Sequence, residues 1–123
     1  MPPREAITSI EEWLSLPELS IPSLATDKET GSICTVIKVG FLGVSEADCR
    51  KMRIRAKPVV GNKCVLPTSV VEQNGARQLV RLSLDLAPWV IDCVTLANTG
   101  RKPFPSKVEF GELNGRLYAE FVL

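Results

Sequence analysis

The sequence predicts a mainly β fold: an antiparallel β-sandwich or barrel of about seven or eight strands, preceded by a short N-terminal helix and an extended arm. Two Asn-Gly pairs, Asn74-Gly75 and Asn114-Gly115, lie between runs of strand-forming residues. Asn-Gly is the preferred two-residue hairpin turn because both positions must accept a positive φ. From Ser32 onward, runs rich in β-branched residues alternate with turn signals about every ten residues. Regular strands joined by tight turns are typical of sandwiches and barrels.

Residues 1–31 are expected to hold the helix and the arm, and residues 32–123 to form a single β-rich domain. Thr8 or Ser9 can cap the helix, because their hydroxyl groups accept hydrogen bonds from backbone N–H groups of its first turn. Pro17 ends it. The arm that follows either packs on its own domain or docks on a neighbouring subunit. The apolar residues that would carry this oligomerisation contact are Trp13, Leu14, Leu16, Leu19, Ile21 and Leu24.

The β-rich part begins with Ile33–Leu42, whose many β-branched residues predict a central strand buried on both faces. Gly61-Asn62 predicts a turn. Apolar and polar residues alternate over Val80–Leu86, which predicts a strand buried on one face. Trp89–Ala97 has apolar residues on both faces and is also predicted to be a strand. The last strand is expected over residues 117–123.

The basic segment, Cys49–Val71, contains six positively charged residues and no acidic residue. A capping-box pattern at Ser45 predicts one helical turn ending near Arg50. Beyond it, cations alternate with apolar residues over Lys51–Lys57. Residues at i and i+2 of a strand point to the same face, so this pattern predicts a strand with a cationic face and an apolar face. The candidate polyanion-binding residues are Arg50, Lys51, Arg53, Arg55, Lys57, Lys63, Arg101 and Lys102.

Two interpretations of these cations are open. They form either a solvated face that protects an edge strand from pairing or a positive stripe that holds a phosphate backbone or anionic lipid. Arg101 and Lys102 are included because Phe104 stands beside them in the Thr99–Pro105 loop. The sequence lacks a row of exposed aromatic residues for base stacking, so base-specific reading of nucleic acid is not expected.

Catalytic and metal-binding patterns are missing. The chain has no histidine, and its four cysteines (Cys34, Cys49, Cys64 and Cys93) lie far apart without a CxxC pair. We therefore expect no metal site, no cofactor and no enzyme activity, and interpret the cysteines as reduced, buried thiols. Asp85 and Asp92 are the one carboxylate pair that a hairpin at Pro88 would bring together, and we interpret them as surface residues. No glycine-rich phosphate loop is present.

These observations favour a non-enzymatic protein that self-assembles and presents a basic strand face to a polyanion, either RNA or an anionic membrane. In size, β-richness and charge layout the chain resembles small matrix and coat-like proteins of RNA viruses. The alternatives are a monomeric protein-interaction adaptor whose basic face is merely solvated, and a sequence-independent single-stranded nucleic-acid binder. We expect a homo-oligomer without a small-molecule substrate. Without a signal peptide or transmembrane segment, we expect an intracellular protein, cytoplasmic or nuclear.

Overall fold

A computed structural model describes residues 7–122. They form a mixed α/β fold with one seven-stranded, mostly antiparallel open sheet and three helices. The helices are α1 (Ile10–Ser15), α2 (Glu46–Lys51) and α3 (Ala87–Asn98), the last preceded by a 3₁₀ turn at Leu84–Leu86. The strands are β1 (Ser23–Leu24), β2 (Ser32–Ser45), β3 (Pro58–Val60), β4 (Lys63–Gln73), β5 (Ala76–Arg81), β6 (Ser106–Leu113) and β7 (Arg116–Phe121). The first six residues of the predicted N-terminal segment, and Leu123 of the predicted last strand, lie outside the described residues.

The sheet is built around the long strand β2. It pairs antiparallel with β4 from Thr35 to Ser45 and with β6 from Ser32 to Val36. The edge of β4 that faces away from β2 pairs first with β3 and then with β5. Strand β7 pairs with the outer edge of β6. Among the described strands, β1 alone pairs in parallel, at the end of β6. An isolated parallel bridge also joins Glu18 to Arg81 of β5.

Helices cover both faces of the sheet at β4. On one face, Cys64 and Leu66 pack with residues of α1 and α2 in a cluster that includes Ile10, Trp13 and Cys49. On the other face, Val71 packs with α3 in a cluster that includes Val36, Val90, Val108 and Phe110. The central strand buried on both faces is therefore β4. The same prediction for Ile33–Leu42 is wrong, because Ile33 and Phe41 of β2 are 47% and 37% exposed.

The predicted strand Trp89–Ala97 is wrong, since these residues belong to helix α3. Pro88 lies in its first turn, where the missing N–H costs no hydrogen bond. Val90 and Cys93 face the sheet at helical spacing. The strand predicted to reach Leu86 ends at Arg81, because the 3₁₀ turn at Leu84–Leu86 follows. With this segment helical, the described residues form a single sheet, without the second sheet of a sandwich or the closure of a barrel.

The local turn and capping predictions are confirmed. Asn74-Gly75 and Asn114-Gly115 join β4 to β5 and β6 to β7, with positive φ at all four residues. A turn at Gly61-Asn62 joins β3 to β4. Helix α1 begins after Ser9, whose side chain accepts a hydrogen bond of 3.2 Å from the Glu12 N–H.

The arm packs on its own chain in this structure. Leu19 N–H donates to the Arg81 carbonyl (3.1 Å), Arg81 N–H donates to the Pro17 carbonyl (2.9 Å), and Glu112 N–H donates to the Pro22 carbonyl (2.9 Å). Of the six predicted contact residues, Trp13 and Leu16 are buried, Leu19, Ile21 and Leu24 are half-buried, and Leu14 is exposed. The exchange of the arm between subunits stays a prediction. So does the boundary between the N-terminal segment (residues 1–31) and the β-rich domain (residues 32–123).

Candidate functional site: a basic and apolar hairpin surface

The basic segment is not the strand that its alternation predicts. Lys51 ends helix α2, and Arg53 has a φ of +58°, in the left-handed region. The Arg53 and Ile54 N–H groups donate to the Arg50 and Cys49 carbonyls at 3.0 and 2.9 Å. These bonds close the end of α2 in the manner of a Schellman motif, so the helix takes residues that alternation alone assigns to a strand. The helical turn predicted after Ser45 is confirmed.

The predicted two-sidedness of this segment is nevertheless confirmed. The cations at Lys51–Lys57 are exposed, whereas Met52, Ile54 and Ala56 are half-buried. These three apolar residues pack against the cluster that includes Trp13 of α1 and Cys49 of α2. The Cys64 thiol, itself buried in that cluster, donates to the Ala56 carbonyl at 3.3 Å. The apolar residues thus anchor the segment to the sheet and hold the cations toward solvent.

The β3–β4 hairpin adds two exposed valines to this basic surface. Val59 and Val60 are 41% and 43% exposed. Lys57 precedes them and Lys63 follows the turn, and both are exposed. We call this the basic–apolar surface, and its residues are Lys51, Arg53, Arg55, Lys57, Val59, Val60 and Lys63.

The cations of the basic–apolar surface are not neutralised by direct ion pairs within residues 7–122. Arg50, by contrast, forms an ion pair of 2.7 Å with Glu46 on α2. Beside the hairpin lies an open cavity of about 420 Å³, lined by Arg55, Lys57 and, as its one acidic residue, Asp85. The surface therefore keeps a local excess of positive charge in a chain of net charge +1.

Arg101 and Lys102 lie apart from the basic–apolar surface. They line a second cavity of about 400 Å³ at the C-terminal end of α3, whereas the Arg55–Lys57 cavity lies at its N-terminal end. A helix of 12 residues is about 18 Å long. Phe104 lines the same cavity as the two cations, but its ring packs edge-on against Trp89 with ring centroids 6.2 Å apart.

The cysteine thiols are held in the interior, and Asp85 and Asp92 are not joined by a hairpin. All four cysteines are free and buried. Burial, together with hydrogen bonding to Cys64, raises the pKa of Cys49 to about 11, and burial raises the pKa of Cys93 to about 11. Residues 7–122 contain no group of three or more potential metal ligands. The hairpin that would join Asp85 and Asp92 does not form, because Asp92 lies in α3.

One hydrogen-bonded group was not predicted from the sequence. Tyr118 donates a hydrogen bond of 2.5 Å to Glu109, which also accepts one from the Gly31 N–H at 3.1 Å. Both bonds favour the ionised carboxylate, so the pKa of Glu109 is lowered, and the bond to Glu109 raises the pKa of Tyr118 to about 12. A β-carbon at Gly31 would lie 2.2 Å from the Phe110 carbonyl oxygen. The group therefore fastens the chain before β2 to β6 at a close approach that only glycine permits.

Val59 and Val60 were also missed. The available signal was two adjacent β-branched residues between Pro58 and Gly61, directly before the turn predicted at Gly61-Asn62. Comparison with known proteins adds nothing to the site, since no family model, curated protein or solved structure matches this chain. Among residues 7–122, every helix is too short or too polar to cross a bilayer.

Proposed function

We propose that this protein is a non-enzymatic, self-associating protein that docks its basic–apolar surface on an anionic lipid membrane, in a structural role of the matrix-like or coat-like kind. The observation that carries the proposal is the pair of exposed valines at the hairpin, set among unpaired cations. Peripheral membrane proteins commonly combine these two signals, because charge attraction and apolar insertion are each weak alone.

The expected energies are consistent with reversible docking. Each Lys or Arg near an anionic leaflet contributes about 1 kcal/mol, and each buried methylene about 0.8 kcal/mol. Five cations and two half-exposed valines are therefore sufficient for binding that is strong at low salt and weakens as salt rises. Because the segment is anchored through Met52, Ile54 and Ala56, little ordering entropy opposes its docking.

The positions of the aromatic side chains favour lipid over single-stranded nucleic acid. Binders of single strands stack successive bases on exposed aromatic rings. Here four of the seven rings pack against one another, Trp13 is buried, and Tyr118 is bonded to Glu109. Phe41 on β2 and Phe121 on β7 are 37% and 38% exposed, and they lie on strands to either side of β6 and do not form a row. The four packed rings are Trp89, Phe104, Phe110 and Phe121.

Vesicle co-sedimentation tests this proposal. We expect wild-type protein to bind phosphatidylserine-containing vesicles and to ignore pure phosphatidylcholine. Arg55→Glu combined with Lys57→Glu should weaken binding at least about 30-fold. Val59→Ser combined with Val60→Ser should weaken it about tenfold, since each substitution removes apolar atoms. The matched control, Arg101→Glu combined with Lys102→Glu, makes the same charge change at the far end of α3 and should have a much smaller effect.

Three results would overturn the proposal. Wild-type protein that ignores anionic vesicles even at low salt would favour the adaptor interpretation. Equal losses from the hairpin and the control pair would mean that binding follows overall charge and not this surface. Tight, salt-dependent binding of single-stranded RNA without vesicle binding would identify the polyanion as nucleic acid.

A further inference from the structure

The open sheet leaves three long strand edges without a fully paired neighbouring strand among the described residues. The outer edge of β7 carries the charged residues Arg116 and Glu120. The outer edge of β5 carries Arg77, and the arm covers its end at Arg81. Charges and covering segments are the usual means by which proteins prevent edge strands from pairing with other chains. These two edges are therefore protected.

The third edge, along the second half of β2, is less protected, because the loop that carries Arg101 and Lys102 borders it only at its start, near Ile37–Val39. β2 pairs with β6 only as far as Val36, and beyond that residue no described strand lies beside this edge. Val39–Ser45 contains no charged residue, and Phe41 is 37% exposed. A long, apolar and uncharged edge is a template for strand addition.

We infer that this edge is the self-association surface, and that its occupant is β2 of a second copy of this chain, paired antiparallel across a two-fold axis. The inference rests on the self-association part of the proposed function and names the surface responsible. A two-fold axis pairs a strand with itself in the antiparallel sense, so one sequence supplies both halves of the interface. Because Val39–Ser45 is uncharged, the paired strands themselves bring no like charges together. The Lys63 side chain of β4 lies beside Gly43.

A register centred on Leu42 makes the two copies complementary. Phe41 of each copy then lies opposite Gly43 of the other. A β-carbon at Gly43 would meet the Lys63 side chain at 3.4 Å and the Phe41 ring of its own chain at 3.9 Å, so the glycine leaves a space that the incoming ring shares with these two side chains. The chain already uses this arrangement between β6 and β7, where Tyr118 pairs with Gly111 and its ring occupies the space of the absent side chain.

Light scattering after size exclusion tests the surface. We expect wild-type protein to be a dimer and Phe41→Lys to weaken association at least tenfold, since it places a charge on each copy at the shared edge. Ile33→Lys is the matched control. Ile33 lies in the same strand and is more exposed, but its part of β2 already pairs with β6, so association should be unchanged. Both variants should keep the wild-type circular-dichroism spectrum and a cooperative unfolding transition, which excludes misfolding as the cause.

Disulfide trapping tests the register independently. Phe41→Cys protein mixed with Gly43→Cys protein should form a cross-linked dimer under mild oxidation, because residues 41 and 43 face each other. Neither variant should cross-link efficiently alone, and the four native thiols are buried. A wild-type monomer would overturn the inference, whether or not it bound a foreign extended peptide along β2. So would a dimer unaffected by Phe41→Lys. Vesicle binding is measured separately, and its loss with dimerisation intact would refute lipid docking alone.

Discussion

Replacing Trp13 with phenylalanine tests how α1 is held on the sheet. The Trp13 indole N–H donates to the buried Pro67 carbonyl at 3.0 Å, and the Arg81 guanidinium carbon lies 5.5 Å from the ring centroid. The Pro67 carbonyl also accepts from the Leu82 N–H at 3.1 Å. Trp13→Phe therefore leaves this oxygen with one partner, and the loss is that of one hydrogen bond, without the larger cost of an unsatisfied buried group.

Three effects add to the expected destabilisation. The hydrogen bond to Pro67 makes a net contribution of about 1 kcal/mol to the free energy of unfolding. The weaker attraction of Arg81 to a phenyl ring costs about 0.5 kcal/mol. The indole also has two more buried carbon atoms than phenyl, and each contributes about 0.8 kcal/mol. Because Trp13 is only 5% exposed, these contributions apply almost fully. We expect the free energy of unfolding to fall by about 3 kcal/mol.

Urea unfolding followed by circular dichroism measures this change. With a slope of about 1–3 kcal/mol/M, the midpoint should fall by about 1–3 M. Leu14→Ala is the neighbouring control, because Leu14 is exposed, and its effect should stay within about 0.5 kcal/mol. A loss below about 0.5 kcal/mol for Trp13→Phe would refute the docking of α1 through this side chain.

Three further predictions concern backbone strain, pH and thiol reactivity. Arg53→Gly should raise the free energy of unfolding by about 1 kcal/mol in urea titration, since glycine accepts the positive φ at the end of α2 without strain; destabilisation would contradict that geometry. The folded-state pKa of Tyr118 is raised from 10.0 to about 12, so its stabilising bond to Glu109 is fully present below pH 10 and is lost as pH rises through 12. Melting temperatures over this range should fall more for wild type than for Tyr118→Phe, and parallel curves would count against the bond. Burial and the raised pKa values of Cys49 and Cys93 predict that native protein resists a thiol reagent at pH 8 and reacts when denatured; rapid native labelling would contradict the buried positions.

Features encoded by neighbouring residues were predictable from the sequence. The Asn-Gly hairpins, the Ser9 cap and the turn at Gly61-Asn62 depend on φ preferences and side-chain hydrogen bonds within a few positions. The two-sidedness of Lys51–Lys57 was also predictable, because alternate cations must remain in water whatever the backbone conformation. Its assignment to a strand failed, because the Arg53 and Ile54 N–H groups bond back to carbonyls of α2, and alternation of cations and apolar residues does not encode these bonds.

Tertiary structure decided the partner of each apolar face. Trp89–Ala97 has apolar residues at both strand and helix spacing, and it becomes helix α3 because a helix buries Val90 and Cys93 against the sheet. That one change replaces the predicted sandwich with a single open sheet. The isolation of Arg101 and Lys102 from the basic–apolar surface, and the less protected edge of β2, follow from the same packing. Such contacts join residues far apart in the chain, so the amino-acid sequence determines local turns, caps and exposure here, while long-range burial determines which surfaces remain free to bind.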